Sequence, residues 1–196
     1  MAQRTPPLNG MSRGVRVVAE TLEEPAYEVI HTHDGFEVRR YAPTVQARVQ
    51  TASRDGGAAS GGFRRVAGYI FGGNSERTSI AMTAPVQMWE EGGSGWLAFT
   101  MPSAYALETL PTPNDAGVRL HPTTSVTVAV ARFSGRMTPK KTAQIEERLR
   151  TAIEREGYPS VGPAVLAVYE NPWTTLPFLR RNELHLRLDV PDAAAP

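Results

Sequence analysis

The chain contains no cysteine. A disulfide framework, a thiolate metal site, a thioether-linked cofactor and a cysteine nucleophile are therefore excluded. An excess of charge of either sign is also missing, because 21 basic residues face 20 acidic ones and leave a formal net charge of +1. This balance provides no electrostatic attraction for nucleic acid or for an anionic membrane, and we expect neither as a partner.

Long apolar runs are missing as well. No segment approaches the ~20 consecutive apolar residues that a membrane-spanning helix needs. The N-terminal stretch lacks the apolar centre of a secretory signal, so the sequence predicts a cytoplasmic protein without a membrane span.

The common signatures of catalysis are absent from the sequence. There is no G-x-S-x-G elbow, no H-E-x-x-H and no G-x-x-x-x-G-K phosphate loop. The glycine clusters at 72–73 and 92–95 are typical of turns. Glu90 and Glu91 are adjacent at a strand end and would point to opposite faces, which is unsuitable for a paired acid and base. The motifs therefore predict no enzyme.

The residues that are present suit a single domain. A hydrophobic share of 41% is enough for a core. The polar, Pro- and Gly-punctuated start and the PDAAAP end have little to pack. We expect a flexible tail at residues 1–24, one domain at 25–190 and a short tail at 191–196.

Two helices and a hairpin are predicted from local patterns. Asp34-Gly35 separates two alternating runs, and both turn positions are expected to have positive φ. Apolar residues at helical spacing predict a first helix within 55–73, although its glycines disfavour helix and it must rely on tertiary packing. Thr138 and Pro139 predict the start of a second helix, and Gly157 predicts its end.

Strands are predicted around these helices at 45–50, 80–89, 96–101, 118–120, 125–133, 164–169 and 183–190. In order along the chain, strand, helix and two strands occur twice, beginning at Val45 and at Val126. Two such halves are expected to form one curved antiparallel sheet or open barrel with two helices outside. A cleft at the junction of the halves would be a natural place for a small ligand.

Several apolar and basic side chains could serve a binding site, although for each apolar one a place in the core is the simpler interpretation. The apolar set comprises Phe63, Tyr69, Ile70, Phe71, Met82, Met88, Trp89, Met101, Trp173, Phe178 and Leu179. Arg64-Arg65 and Arg180-Arg181 are close to members of this set in the sequence. An arginine at the rim of an apolar site suits a ligand carboxylate, and pairing with a local carboxylate is the alternative.

Seven stretches follow one another along the chain: EEPAYEVI from Glu23, FEVRRYAP from Phe36, GFRRVAGYIFGGN from Gly62, IAMTAPV from Ile80, FTMPS from Phe99, RFSG from Arg132, and YENPWT followed by RRNEL ending at Leu184. Together and in this order they resemble the SOUL haem-binding protein family. The resemblance implies an α+β fold, a distorted antiparallel β-barrel of two pseudo-symmetric βαββ halves with two flanking helices.

The resemblance also implies non-covalent binding of haem or another flat hydrophobic tetrapyrrole, as a buffer or carrier. The family's apolar patch on the first helix corresponds here to Phe63 and Ala67. The matching basic positions are Ser60, Gly68 and Leu176, so Arg64, Arg65 or Arg180 would have to replace them.

The family's axial histidine corresponds here to Arg40, which cannot ligate iron. His31 and His33 are the weak alternatives, two residues apart on a strand and on one face. They could also be ordinary hairpin residues, and Tyr69, Met82 or no protein ligand remain open. The expected haem contacts are Phe63, Arg64, Ala67, Phe71, Met82 and Arg180.

Two other functions stay open at this point. The SOUL fold resembles gyrase-inhibitor-like domains, some of which hydrolyse their ligands, and Glu76, Glu170 or Glu183 would then be the general base. A buried pocket carboxyl with a raised pKa would favour that function. A protein-interaction role for the Pro-rich loop at 171–179 depends on Pro172, Trp173 and Pro177. The oligomeric state is left open.

Overall fold

A computed structural model describes residues 22–52, 56–170 and 176–190, with the backbone alone for residues 56–60 and Pro177. The predicted tails lie outside this range except for residues 22–24, and so do Asp55, Pro172 and Trp173. The strands are β1 (Tyr27–His33), β2 (Phe36–Tyr41), β3 (Val45–Thr51), β4 (Val86–Glu91), β5 (Ser94–Thr100), β6 (Val118–Pro122), β7 (Val126–Phe133), β8 (Ser160–Val168) and β9 (Asn182–Leu188). The α-helices are α1 (Gly56–Ile70) and α2 (Pro139–Arg155), and single 3-10 turns lie at Leu107–Thr109 and Pro177–Leu179.

The strands form one nine-stranded sheet in the order β1-β2-β7-β9-β8-β4-β5-β3-β6. All of its strand pairs are antiparallel. The α+β class and the mainly antiparallel sheet are thus confirmed. Within the described residues, β1 pairs only with β2 and β6 only with β3, so the sheet is open and the expected barrel is not confirmed.

The repeat predicted from the order of elements is visible in the sheet. The first repeat (β3, α1, β4, β5) gives the strand order β4-β5-β3, and the second (β7, α2, β8, β9) gives β8-β9-β7. The repeats meet where β4 pairs with β8. β2 precedes the first repeat and pairs with β7, whereas β6 precedes the second and pairs with β3.

The second helix begins and ends as predicted. The Thr138 hydroxyl accepts a hydrogen bond from the Lys141 N–H at 3.2 Å, and Pro139 is the first helical residue. Gly157 follows the helix with φ +78°. The Asp34-Gly35 hairpin is also present, but only Gly35 has positive φ, so the expectation for Asp34 was wrong.

The strand predicted to begin at Ile80 begins at Val86 instead. The stretch before it bonds outside the sheet: the Ile80 N–H donates to the Ile70 carbonyl at 2.8 Å, and the Ala84 N–H donates to the Glu23 carbonyl at 2.9 Å. This stretch therefore has the alternation of residues typical of a strand, but these backbone groups bond to residues outside the sheet.

Alternation along the strands separates two faces of the sheet. On β9, Leu184, Leu186 and Leu188 enter the main hydrophobic core, which also holds residues of both helices such as Val66 and Ile153. The intervening residues Glu183, His185 and Arg187 point to the opposite face. Both helices thus cover one face, and the other faces a cleft.

Candidate functional site

The outer side of α1 exposes a short apolar stripe, which we define as Phe63, Ala67 and Phe71. Phe63 is 39% exposed and Phe71 64% exposed, and Ala67 is partly buried. The Phe71 N–H donates to the Ala67 carbonyl at 2.9 Å, so the backbone continues its helical path one residue beyond α1. With a four-residue spacing, the two phenylalanines lie on one side of the helix, about 12 Å apart along its axis.

The inner side of α1 explains why a helix rich in glycine is formed here. Val66, Tyr69 and Ile70 are at most 1% exposed and join the core. Gly62 also faces inwards, since a Cβ at that position would lie 2.6 Å from the Thr51 Cγ2 atom. Packing on β3, β5 and β6 therefore holds the helix. Phe63 contributes from the edge of the stripe, because its ring packs on Phe99 of β5 with centroids 5.4 Å apart.

The basic residues predicted near the stripe differ in their availability. Arg64 is exposed next to Phe63. Arg65 instead makes a two-fold contact with Asp115, with both N–O distances 2.7 Å. The Arg65 guanidinium holds the pKa of Asp115 at about 2, below its usual range. Arg180 is half-buried beside the 3-10 turn at 177–179 and is already engaged within the protein.

The predicted iron ligands are not gathered at the stripe. β1 lies at one edge of the sheet order, whereas α1 packs on strands at the other end. His31 is exposed on β1. His33 stacks on Phe36 with centroids 4.6 Å apart, and its Nε2 is 3.3 Å from the Tyr158 hydroxyl.

The other two candidates for iron, Tyr69 and Met82, serve the core. Tyr69 is buried and donates its hydroxyl hydrogen to the Pro111 carbonyl at 3.0 Å. Burial raises the pKa of Tyr69 to about 12. Met82 packs against the core cluster. Over the described residues, no three His, Asp or Glu side chains gather in a way that could hold a metal ion.

A cleft of about 610 Å³ opens on the face of the sheet opposite the helices, across the junction of the two repeats. Its volume is typical of a small-molecule site. The first repeat contributes Gln46, Arg48, Gln87, Trp89 and Glu91 to its lining, and the second contributes Val126, Val128, Val161, Val165, His185 and Arg187. A further cavity of about 550 Å³ adjoins it around Pro25, Thr44 and Thr123.

A buried polar network lies behind the second repeat's side of the cleft. The Arg39 guanidinium donates to both Glu183 carboxylate oxygens, at 3.0 and 3.3 Å, and both side chains are about 1% exposed. The Tyr169 hydroxyl donates to the same carboxylate at 2.7 Å. His185 Nε2 lies 3.0 Å from it, and the His185 ring stacks on Tyr41.

This network keeps Glu183 ionised. Burial on its own would raise the pKa of Glu183, but the hydrogen bonds from His185 and Tyr169 and the positive charge of Arg39 outweigh it. The pKa is held at about 2. Burial, followed by the charge of Glu183, raises the pKa of Tyr169.

Sequence reasoning missed the charged lining of the cleft. Arg48, His121 and Arg187 were not among the expected contacts. A signal was present in the strands, because β3 alternates polar Gln46 and Arg48 with apolar neighbours, and β9 does the same with His185 and Arg187. Such alternation predicts two different faces, but it does not predict that the polar face is concave.

No helix in the described part of the chain is long and apolar enough to cross a membrane.

Comparison with solved structures shows the same fold in other proteins. The C-terminal domain of EcmrR superposes with a TM-score of 0.62 at 9% identity, covering 83% of this chain and 98% of that one. An uncharacterized conserved protein from Listeria innocua gives a TM-score of 0.60 at 10% identity, covering 78% of this chain and 91% of that one. A hydrolase from Listeria innocua gives 0.55 at 10% identity, covering 81% and 94%. At these identities the similarity concerns the fold alone.

Sequence comparison is more specific. Heme-binding protein 2 of Mus musculus is 27% identical over 169 residues, covering 80% of this chain and 81% of that protein. Heme-binding protein 2 of Homo sapiens is 28% identical over 130 residues, covering 62% of this chain and 63% of that protein. The family model described as SOUL heme-binding protein matches residues 22–187. This range includes both helices and the whole sheet apart from Leu188, the last residue of β9. The chain therefore belongs to the SOUL heme-binding protein family.

Proposed function

We propose that the protein binds haem or a related tetrapyrrole reversibly and non-covalently on the apolar stripe of α1, as a buffer or carrier. The observation that carries this proposal is the alignment of Phe63, Ala67 and Phe71 on the outer side of a helix whose inner side is fully packed. Family membership supports the same ligand class.

The surface between the two phenylalanines suits a flat ligand. Gly68 is exposed, and a Cβ added there would meet nothing within 4 Å. Because the neighbouring residue is Ala67, the side chains at these two positions amount to a single methyl group, and they leave the helix backbone accessible. A planar macrocycle can therefore approach the backbone closely while it contacts Phe63 and Phe71 at its edges.

The expected affinity is modest. Removing roughly 200–300 Å² of apolar surface from water gives on the order of 5–7 kcal/mol before the cost of ordering the ligand. That corresponds to binding no tighter than about micromolar. Such an affinity is consistent with a protein that takes up and releases its ligand.

Arg64 is exposed beside the stripe. Its guanidinium can bind a propionate of the ligand through charge-assisted hydrogen bonds. Arg65 is already held by Asp115 and does not compete for this role. We therefore expect Arg64→Gln to weaken haemin binding more than binding of the haem dimethyl ester, which lacks the carboxylates.

The stripe itself carries no iron ligand, since its three residues have only hydrocarbon side chains. Haem would bring its iron and its redox and ligand-binding chemistry, and the residues of α1 would bind the macrocycle and exclude water from one face. Iron-free protoporphyrin is therefore expected to bind about as tightly as haemin.

The hydrolase alternative finds no support at Glu183. A general base needs a pKa near neutral and a free lone pair. The Glu183 carboxylate has a pKa of about 2 and accepts hydrogen bonds from Arg39 and Tyr169, with His185 also within 3.0 Å. It resembles a structural ion pair more than a catalytic base.

A haemin titration followed by Soret absorbance tests the proposal. We expect a saturable shift with the unaltered protein and a loss of about tenfold or more in affinity for Phe63→Ser/Phe71→Ser. Because Phe63 also packs on Phe99, with centroids 5.4 Å apart, Phe71→Ser alone is the variant that leaves the core untouched. No saturable shift, or unchanged affinity in both variants, would overturn the proposal.

A further inference from the structure

The cleft on the helix-free face of the sheet concentrates positive charge at the β3–β6 edge. Arg48 of β3 pairs directly with Arg119 of β6, and Gln46 pairs with His121 in the same register. Residues directly opposite each other in an antiparallel pair point to the same side of the sheet, and like charges in this position repel. β3 and β6 therefore place Arg48, Arg119 and His121 on one side of the sheet, and of these Arg48 and His121 line the cleft.

Arg48, Arg119 and Arg187 make no close ion pair over the described residues, although the Glu91 carboxylate in the same lining acts on Arg48 from a greater distance. Over the described residues, no carboxylate lies within 4.0 Å of the guanidinium of Arg48, Arg119 or Arg187. The same comparison finds such a partner for Arg39, Arg65 and several other arginines. A guanidinium that makes no ion pair within the protein is available to the anionic group of a ligand.

Arg48 is held in position for such an anion. Its Nε donates to the Gln46 side-chain oxygen at 2.9 Å, and its guanidinium lies 5.4 Å from the centre of the Trp89 ring. Burial lowers the pKa of Arg48, and the charge of Glu91 offsets this only in part. The Glu91 carboxylate accepts a hydrogen bond from the Trp89 indole at 3.3 Å.

The same positive field reaches His121. Desolvation, and after it the charge of Arg48, lowers the pKa of His121. The small side chain of Ala98 lies between Arg48 and Gln87 in the register of β3, β5 and β4. This leaves room above β5, where the Gln46 amide donates to the Gln87 oxygen at 2.7 Å.

The opposite wall of the cleft is apolar. The second repeat contributes the side chains of Val126, Val128, Val161 and Val165. Arg187 lies among them on β9, since it pairs with Val128 on one side and with Val161 on the other. The cleft thus joins an apolar wall to a basic one.

We infer that the cleft is a second ligand site, separate from the α1 stripe, for a small organic anion with a flat apolar body. The anionic group would bind beside Arg48 on one wall, Arg187 on the other wall would add to the positive potential of the cleft, and the apolar body would pack on the valines and Trp89. Charge-assisted hydrogen bonds to the guanidinium groups would provide the selection for an anion. This site does not depend on the proposed haem binding.

A matched pair of fluorescent probes tests the inference. Anilinonaphthalene sulfonate is a flat aromatic anion, and N-phenylnaphthylamine has nearly the same body without the charge. We expect saturable binding of the sulfonate to the unaltered protein and binding at least about tenfold weaker for the neutral probe. Equal affinity for both probes would contradict a site built on cations.

Variants locate the site. Arg48→Gln and, independently, Arg187→Gln should each weaken the sulfonate about tenfold, whereas Arg48→Lys should retain part of the affinity. Arg148→Gln on the exposed side of α2 is the control for charge and should have no effect. If Arg187→Gln and Arg48→Gln both leave binding unchanged in folded protein, the inference is wrong.

The double variant Phe63→Ser/Phe71→Ser separates this inference from the proposed function. We expect it to lose haemin and to keep the sulfonate. Loss of the sulfonate in this variant would assign the probe to the stripe and overturn the cleft site, while leaving haem binding at the stripe intact. Loss of haemin in Arg48→Gln would show instead that one site in the cleft serves both ligands, and would overturn their separation.

Discussion

The two repeats of the sheet share a topology and differ in what stabilises their helices. In the second repeat, α2 has a side-chain cap at Thr138 and an internal ion pair between Glu146 and Arg150. In the first, α1 has no acidic residue in its first turn and no basic residue in its last, and glycine occupies five of its 15 positions. The second helix is stabilised by its own sequence, whereas the first is stabilised by what it packs on.

Charge follows the same division on the other face of the sheet. Arg39, which reaches the second repeat from β2, pairs with the buried Glu183 and with the more exposed Glu37. Arg48 of β3 and Arg119 of β6 are neighbours across the two strands. Over the described residues, no carboxylate lies within 4.0 Å of either guanidinium. Arg187 of β9 also makes no ion pair over the described residues, so both repeats present a cation to the cleft, and the buried ion pair is what distinguishes the second repeat.

The largest expected effect concerns the buried pair of the second repeat. Glu183→Gln removes the carboxylate that accepts hydrogen bonds from Arg39 and Tyr169, and it leaves the more exposed Glu37, 2.7 Å from the Arg39 Nε, to balance a guanidinium that is about 1% exposed. We expect a loss of about 3–5 kcal/mol in the free energy of unfolding at neutral pH, measured in urea. Glu147→Gln on the exposed side of α2 is the matched control and should change it by less than about 0.5 kcal/mol.

The effect of Glu183→Gln should depend on pH in one direction. The pKa of Glu183 is about 2 in the folded protein and 4.5 for an ordinary glutamate, so its stabilisation is complete above pH 4.5 and is lost as the pH falls through 2. The difference between the unaltered protein and the variant should therefore shrink by about 3 kcal/mol over this window. A difference that stays constant down to pH 2 would contradict the ionised pair.

The next effect concerns the inner side of α1. A Cβ in Gly62→Ala would lie 2.6 Å from the Thr51 Cγ2 atom and 3.2 Å from a Val49 methyl. We expect a loss of about 1–3 kcal/mol despite the better helix propensity of alanine. Thr51→Ser in the same chain removes the clashing methyl and should restore most of the loss; without such rescue, the close packing of α1 on β3 would be in doubt.

A smaller loss is expected at the start of α2. Thr138→Ala removes the hydroxyl that accepts from the Lys141 N–H, and we expect it to cost about 1 kcal/mol in thermal or urea unfolding. Thr138→Ser keeps the acceptor and should be close to neutral. Equal losses in the two variants would show that the cap is not what holds this helix end.

The smallest effect has the opposite sign. Gly68→Ala lies on the outer side of α1, where a Cβ meets nothing within 4 Å. We expect a gain of about 0.5–1 kcal/mol in the free energy of unfolding, in contrast to the loss at Gly62. A loss at Gly68 would mean that the outer side of α1 contacts other parts of the protein.

The sequence predicted a structural feature correctly where the residues that determine the feature are close together along the chain. The limits of α2 depend on Thr138, Pro139 and Gly157, which act within a turn of the helix, and they were correct. The strand expected from Ile80 failed because bonding to Ile70 and to Glu23 is decided by distant parts of the chain. Local patterns therefore predict helices better than strand ends.

The apolar stripe of α1 was likewise easier to predict than the polar residues on the other face of the sheet. The four-residue spacing of the stripe is readable on a helical projection, and the structure exposes Phe63 and Phe71 as part of one face. The pair of Arg39 with Glu183 joins residues 144 positions apart. The cross-strand pairing of Arg48 with Arg119 requires β6 to lie beside β3, which no local pattern predicts.

The central claim is that the outer side of α1 binds a flat tetrapyrrole, and one comparison of haemin affinities tests it most directly. Phe71→Ser removes an exposed apolar side chain from the stripe. The control, Met137→Ser, removes an apolar side chain that is 36% exposed in the segment just before α2. We predict that Phe71→Ser weakens the Soret titration about tenfold and that Met137→Ser leaves it unchanged. Equal affinities in the two variants would contradict the claim.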